Sequence, residues 1–166
     1  MTVRRARYNL RMMTSQDIGR ALTIESAIYG NTPWDRFAFM SELQKRGRTL
    51  YLVCTDKVDD EIVGYVGACF RETRAHVTII AVAPNWQRRG LGRMLMQTMI
   101  DQARKMGCTY MTLEVAVDNR GAQHLYHSLG FTNGRIRENY YTNEHTDAMD
   151  MELQFSDLVS ADEESF

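Results

Sequence analysis

Cysteine is scarce in this 166-residue chain, and the three that occur, Cys54, Cys69 and Cys108, are odd in number and show no C-x-x-C spacing. That speaks against a disulfide framework or a zinc knuckle and leaves the three as reduced packing residues. Neither sign of charge is in excess, since 20 Lys and Arg stand against 21 Asp and Glu. A general nucleic-acid or membrane surface needs a cationic surplus, so no nucleic acid and no membrane is expected as a partner. No apolar run approaches membrane-spanning length, and no signal-type apolar segment follows the first arginines, which points to a soluble cytoplasmic protein. Internal repeats and interdomain linkers are missing too, and the length favours one compact domain with a sizeable core. Charge is uneven only at the ends: Arg4, Arg5, Arg7 and Arg11 crowd the start, and Asp157, Asp162, Glu163 and Glu164 crowd the last residues. Both ends read as solvated termini, with residues 156–166 an acidic, flexible tail. The eleven methionines read as adaptable core filler rather than a metal or target-binding surface.

Tyr8, Leu10 and Met12 alternate with polar neighbours and predict a first strand. Thr14, with Asp17 three residues on, resembles a capping box in which Asp replaces the usual Glu or Gln. It predicts a helix through Ile18, Ala21, Leu22 and Glu25 to about Ile28, ending near Gly30. A loop over residues 30–34 leads to Asp35 as N-cap of a second short helix, with Phe39 and Leu43 on one face and Gly47 at its end. This helix-loop-helix is either plain packing or a lid. Strands are predicted at residues 50–54, 62–70 and 77–82, with Asp59 and Asp60 in the first turn and residues 71–75 in the second. A strand over residues 109–117, a break at Asp118 and Asn119, and a short helix through Leu125, Tyr126 and Leu129 capped by Gly130 follow. Residues 132–137 and 148–153 read as closing strands joined by a polar loop that carries Tyr140 and Tyr141. The succession is that of an α/β fold.

Between the strand ending at Ala83, Pro84 and the segment in which Leu91, Leu95, Met99, Ala103 and Met106 recur at helical spacing stand Gln87, Arg88, Arg89, Gly90, Leu91, Gly92 and Arg93. A helix beginning at the second glycine aims unpaired amides outward, and glycines at 90 and 92 let an anion approach the backbone. With the positive dipole end and three arginines, the turn suits a pyrophosphate. A dinucleotide fingerprint would need glycine where Leu95 stands, and a Walker A loop would need Gly-Lys-Ser/Thr, which does not follow Gly90. The pattern Gln87, x, x, Gly90, x, Gly92 at a strand-to-helix junction instead resembles the acetyl-CoA loop of the GNAT superfamily of N-acetyltransferases.

Glu114 lies within Met111, Thr112, Leu113, Glu114, Val115, a segment otherwise dressed as a core strand, where a carboxylate is costly unless solvated, paired or functional. It either faces water on the polar side of a strand or acts as a base. Tyr126 stands one helix later, before Gly130 and Phe131, as a core tyrosine or a functional one. Leu113, Glu114, Val115, then Asn119, Leu125, Tyr126, Leu129, Gly130 and Phe131, taken with Ile80, Ala81, Val82 and with Arg137, x, Asn139, Tyr140, Tyr141, resemble the ribosomal-protein-alanine N-acetyltransferases. These are bacterial relatives of the protein N-terminal acetyltransferases. The similarity is close over about residues 75–153 and loose before them.

That resemblance implies a single GNAT domain over residues 1–155, with a mixed, mostly antiparallel central sheet and flanking helices. Its cosubstrate is acetyl-CoA, with no metal, and its acceptor is a protein N-terminus, the alanine of a small-subunit ribosomal protein. It implies that Arg88, Arg89, Gly90, Leu91, Gly92 and Arg93 hold the pyrophosphate. Ile80, Ala81 and Val82 bind the pantetheine and thioester, and Asn119 touches the cofactor. Glu114 matches the general base and Tyr126 the general acid, while Pro33, Trp34, Tyr140 and Tyr141 flank the acceptor amine. Before Pro33 a bulky apolar residue is common in the family, and Asn31 and Thr32 stand there instead.

An α-amine with a reference pKa of about 7.7–8 is partly neutral near pH 7, whereas about 0.1% or less of lysine is, so a modest base suffices for an N-terminus. Glu114 at about 4.3 is weak, so a value raised by burial, or a relay of waters, is expected. Tyrosine at about 10 against a thiol near 8.5 leaves roughly 2 kcal/mol unfavourable for full proton transfer, so Tyr126 also serves as a hydrogen-bond donor to sulfur. Two other functions fit the same residues: acetylation of lysines or a small amine, and non-catalytic acyl-CoA binding. His124 and His127 at i, i+3 lack a third metal ligand, and His76 and His145 carry no readable signal.

Overall fold

The computed structural model describes residues 5–30, 32–45, 47–141 and 146–155, and at residues 5, 139–141 and 146 the backbone alone. Arg4, Asn31, His145 and the acidic tail over 156–166 lie outside the described residues. The elements are β1 Tyr8–Met12, α1 Ile18–Tyr29, α2 Arg36–Gln44, β2 Thr49–Asp56, β3 Ile62–Arg71 and β4 Arg74–Val82. They continue as α3 Leu91–Lys105, β5 Tyr110–Ala116, α4 Arg120–Ser128, β6 Thr132–Tyr141 and β7 Thr146–Gln154. The seven strands form one sheet in the order β1-β2-β3-β4-β5-β7-β6. Neighbours β1/β2, β2/β3, β5/β7 and β7/β6 pair antiparallel, and β4 and β5 pair parallel from Arg74↔Tyr110 to His76↔Thr112. A parallel pair needs a crossover, and α3 supplies it. The predicted mixed, mostly antiparallel α/β sheet is the one observed. No helix among the described residues is long and apolar enough to cross a membrane.

The described residues group into two compact units. The first holds β1, α1, α2, β2, most of β3, the later half of β4 and the start of α3. Its core is built from Ile18, Ala21 and Ile24 of α1, Phe39 of α2, and Tyr51, Val53, Tyr65, Ile79 and Ala81 of the strands. In α1 these residues recur at helical spacing, which turns one face inward. Arg11 donates two hydrogen bonds to the Asp17 carboxylate, at 2.7 and 2.9 Å, and Thr14 N–H donates a third at 2.7 Å. Asp17 therefore does at this helix start what a capping-box Glu does elsewhere. Asp35 caps α2 as expected, accepting from Ala38 N–H at 2.8 Å. β2 and β3 read as nearly continuous buried runs, so both of their faces are covered.

The second unit holds the start of β4, the end of α3, β5, α4, β6 and β7. β5 alternates strictly, with Met111, Leu113 and Val115 buried and Tyr110, Thr112, Glu114 and Ala116 half-buried. Across the β5/β7 ladder Leu113 faces Met151 and Val115 faces Met149, so methionine fills this core. The Tyr126 and Phe131 rings sit 5.9 Å apart beneath the end of α4.

Three expectations are corrected. The turn after β3 is not residues 71–75 but Glu72 and Thr73. Arg74 already pairs with Tyr110, and Thr109 N–H donates to Thr73 O at 2.7 Å, so the neighbouring strand extends β4 backwards. Tyr140 and Tyr141 belong to β6 rather than to a loop. Register shifts between Asn133 and Ile136 and between Arg137 and Tyr141 break the two-residue alternation by which a strand is recognised. Finally, α3 begins at Leu91, one residue before the second glycine.

Gly67 lies directly opposite Tyr51 across the β2/β3 ladder, and a Cβ there would come within 2.2 Å of the Tyr51 ring. That ring is 2% exposed and its hydroxyl hydrogen-bonds Thr78 Oγ1 at 2.7 Å, so it has nowhere to go. Gly67→Ala is therefore expected to destabilise by about 1–3 kcal/mol, the usual cost of overpacking, read as a lower urea midpoint with an unchanged m-value.

Candidate active site

The loop between β4 and α3 is the segment expected to hold the pyrophosphate. Ala83 N–H donates to Val63 O at 2.8 Å, a single 3-10 turn follows at Pro84–Trp86, and the Gln87 side-chain amide donates back to Val82 O at 3.1 Å. Arg88 then takes φ 62° and Gly90 φ 81°. A left-handed arginine costs of order 1 kcal/mol, and such strain persists only where the surroundings over-determine it. Met94 N–H to Gly90 O at 3.1 Å is an early helical bond, so the amides of Leu91 and Gly92 fall in the first turn, where helix geometry provides no partner. Arg89 lies with its guanidinium 4.7 Å from the Trp86 ring centre, and Arg7 lies 5.2 Å from the same ring while holding Asp56. Two left-handed residues leading into a helix N-terminus, in a segment that carries Arg88, Arg89 and Arg93, have the chemistry of a phosphate nest. These residues fit a pyrophosphate.

Glu114 lies on the half-buried face of β5, with its side chain 20% exposed. On β4 the same alternation buries Ala75, Val77, Ile79 and Ala81 and turns Arg74, His76 and Thr78 the other way. The parallel register sets His76 opposite Thr112, two residues before Glu114. His76 Nε2 is 3.0 Å from Glu114 Oε2, and His76 Nδ1 is 2.7 Å from Thr112 Oγ1. On the other side Glu114 faces Asp150, whose carboxylate is held by Arg137 Nε at 3.0 Å. These side chains line a cavity of about 250 Å³ together with Arg74, Arg135 and Glu152.

The hydrogen bond from His76 holds the Glu114 carboxyl below the usual carboxylate range. Partial burial opposes this, and the positive charges of Arg137 and Arg74 assist it. Of the two expectations, a raised value or a relay of waters, the first is not met: β5 turns Glu114 to the half-buried face, where the His76 hydrogen bond and nearby positive charge outweigh desolvation. His76 and Thr112 were missed from sequence. A lone histidine in a strand carries no signal until the parallel pairing of β4 with β5 is known.

The remaining predicted residues are placed as follows. Tyr126 is 6% exposed on α4. Asn119 is the N-cap of α4, its Oδ1 accepting from Ala122 N–H at 3.2 Å. Ile80, Ala81 and Val82 end β4, with Ala81 turned into the core, and Tyr29 O–H donates to Ile80 O at 3.4 Å. Trp34 is half-buried and packs 4.9 Å from Phe39 against the first unit's core, while Pro33 is exposed. The loop around them is tied down: Thr32 O–H donates to Glu25 at 3.2 Å, and Trp34 N–H donates to Thr32 Oγ1 at 3.2 Å. The side chains of Tyr140 and Tyr141 lie outside the described residues. His127 contacts Asn133 Oδ1 at 2.6 Å, and no group of three metal-ligating side chains occurs among the described residues.

Residues 19–131 match the model of the acetyltransferase (GNAT) family. The chain belongs to the GNAT acetyltransferase family. The ribosomal protein bS18-alanine N-acetyltransferase of Salmonella typhimurium is 35% identical to this GNAT chain over 147 residues, covering 87% of it and 96% of the relative. A crystal structure of the ribosomal-protein-S18-alanine N-acetyltransferase from Escherichia coli superposes with a TM-score of 0.80 at 32% identity, covering 90% of this chain and 94% of that one. Ard1 from Thermoplasma volcanium, at 22% identity and a TM-score of 0.79, shares the fold. As a GNAT acetyltransferase the protein uses acetyl-CoA, whose pyrophosphate suits the nest at Arg88, Gly90 and the start of α3.

Because its folded-state pKa is depressed, Glu114 contributes stability above the unfolded value of about 4.3 and loses it as pH falls through the folded value. A ¹³C NMR titration of the Glu114 carboxyl is expected to give a midpoint below 4.3, and one above 5 would mean that burial outweighs His76.

Proposed function

We propose that this GNAT enzyme transfers the acetyl group of acetyl-CoA to the N-terminal α-amine of a protein, and that its acceptor is the N-terminal alanine of ribosomal protein bS18. One observation carries this: likeness over nearly the full length to enzymes named for that reaction, in a chain that has Glu114 on an open strand face above a polar cavity. Acetyl-CoA, when bound, supplies an acyl carbon activated by a thiol leaving group. Arg88, Arg89 and Arg93, with the amides around Gly90, Leu91 and Gly92, neutralise its pyrophosphate, and Ile80, Ala81 and Val82 hold its pantetheine arm through backbone groups. Asn119 contributes from the start of α4.

The acceptor nitrogen forms the amide bond as the C–S bond breaks, the amine gives up a proton, and sulfur gains one. Glu114 takes the amine proton and Tyr126 O–H faces the sulfur. A carboxylate held ionised by His76 is a constant acceptor but a weak base. It suits an α-amine that is already partly neutral near pH 7 far better than a lysine. Pro33, Trp34, Tyr140 and Tyr141 flank the acceptor, with Trp34 packed on Phe39.

Two peptides of one sequence test this, each beginning with alanine and containing an internal lysine, one with its α-amine blocked. Mass spectrometry is expected to find a single acetyl group on the N-terminus of the free peptide and none on the blocked one. Lysine acetylation in both would replace the proposed acceptor. Tyr126→Phe is expected to lower kcat about 100-fold while leaving acetyl-CoA binding within about twofold, and an unchanged rate would remove Tyr126 from the mechanism.

A further inference from the structure

A general base is useful only if its free lone pair points the right way, and three side chains on two strands fix that direction here. An ionised carboxylate accepts hydrogen bonds and donates none, so the His76 Nε2–H must donate to Glu114 Oε2 at 3.0 Å. The second ring nitrogen, His76 Nδ1, lies 2.7 Å from Thr112 Oγ1, within hydrogen-bond distance. The chain of contacts runs from Thr112 through His76 to Glu114 Oε2 and leaves Oε1 as the other carboxylate oxygen. Register holds the chain together: His76 and Thr112 form the last pair of the parallel ladder, and Glu114 is the next residue on the same face of β5.

We propose that His76 is a positioning residue for the acetyl transfer: braced by Thr112, it orients the Glu114 carboxylate. This rests on Glu114 acting as the base. Six other charged or titratable neighbours face the same cavity, Arg74 on β4, Arg135 and Arg137 on β6, Asp150 and Glu152 on β7, and Glu114 itself on β5. Arg137 Nε donates to Asp150 Oδ1 at 3.0 Å, and His76 Nε2 lies 3.0 Å from Glu114 Oε2. Removal of His76 takes away the largest cause that lowers the carboxyl and leaves partial burial, which raises it, opposed by Arg137 and Arg74.

The test uses His76→Ala, His76→Gln and Thr112→Val in the full chain, with Glu114→Gln as reference and thermal unfolding to verify folding. His76→Ala is expected to lower kcat about tenfold or more, as misplacement of a reacting group does, with the KM for acetyl-CoA unchanged. Its acid limb of kcat/KM should move to higher pH, and a ¹³C titration of the Glu114 carboxyl, which needs no turnover, should move with it. His76→Gln, which can present an amide N–H near the Nε2 position, should restore most of both quantities. Thr112→Val should fall between the wild type and His76→Ala.

Folded His76→Ala protein with wild-type kcat and an unmoved Glu114 titration would overturn the proposal. So would a loss of activity that His76→Gln fails to recover, because the N–H donor would then not be what matters. Full activity of Glu114→Gln would instead strike at the base assignment. Loss in Glu114→Gln beside an unaffected His76→Ala would leave that assignment standing and remove only His76.

Discussion

Three parallel residue pairs, from Arg74↔Tyr110 to His76↔Thr112, are the constraint on which the candidate chemistry depends. Side chains along a strand alternate with period two, so the register of β4 against β5 decides at once which residues are buried and which stand together on the open face. A slip of one residue would place Val77 beside Glu114 and send Met111, Leu113 and Val115 out of the core. Burial of those three apolar side chains, worth roughly 1.5–3 kcal/mol each, enforces the arrangement. Core packing in the second unit is thus what positions a histidine, a threonine and a glutamate for polar work.

The first unit supplies its functional loop by a different device. Where β4 ends, proline and the 3-10 turn stop the strand, and two left-handed residues, Arg88 and Gly90, lead the chain into α3. The loop is braced by aromatic and charged contacts rather than by burial: Arg7 and Arg89 lie against Trp86, and Arg7 holds Asp56. Buried Glu25, its carboxyl pushed up by desolvation, accepts from Tyr65 and Thr32 and so anchors the segment that leads to Trp34. A buried carboxylate is tolerable only with such partners.

On the proposed mechanism, the electrostatics of Glu114 set what kind of base it is. A raised carboxyl would suit a substrate that resists deprotonation. A lowered one leaves Glu114 ionised across neutral pH and places the burden on orientation and on the acidity of the substrate. An α-amine meets that demand, since its pKa lies some 2–3 units below that of a lysine. The state of the carboxylate and the class of acceptor are therefore arguments for one another.

Much of this was legible in the sequence for local reasons. The strand-to-helix junction at Gln87, Arg88, Arg89, Gly90, Leu91, Gly92 and Arg93 declares itself through glycine spacing and the change of apolar period from two to near four, and Asp35 declares a helix start through cap chemistry. Glu114 was conspicuous as a carboxylate in an apolar strand. The extension of β4 back to Arg74, the reach of β6 to Tyr141 and the packing of Trp34 on Phe39 were not legible, because each is imposed by a neighbour distant in the chain. The pairing of His76 with Glu114, 38 positions apart, is the clearest case. Sequence alone determined which residue types were present and which local elements they favour. Only the tertiary structure decided that a histidine without a signal would meet that carboxylate, because strand register is set by the burial of the opposite faces.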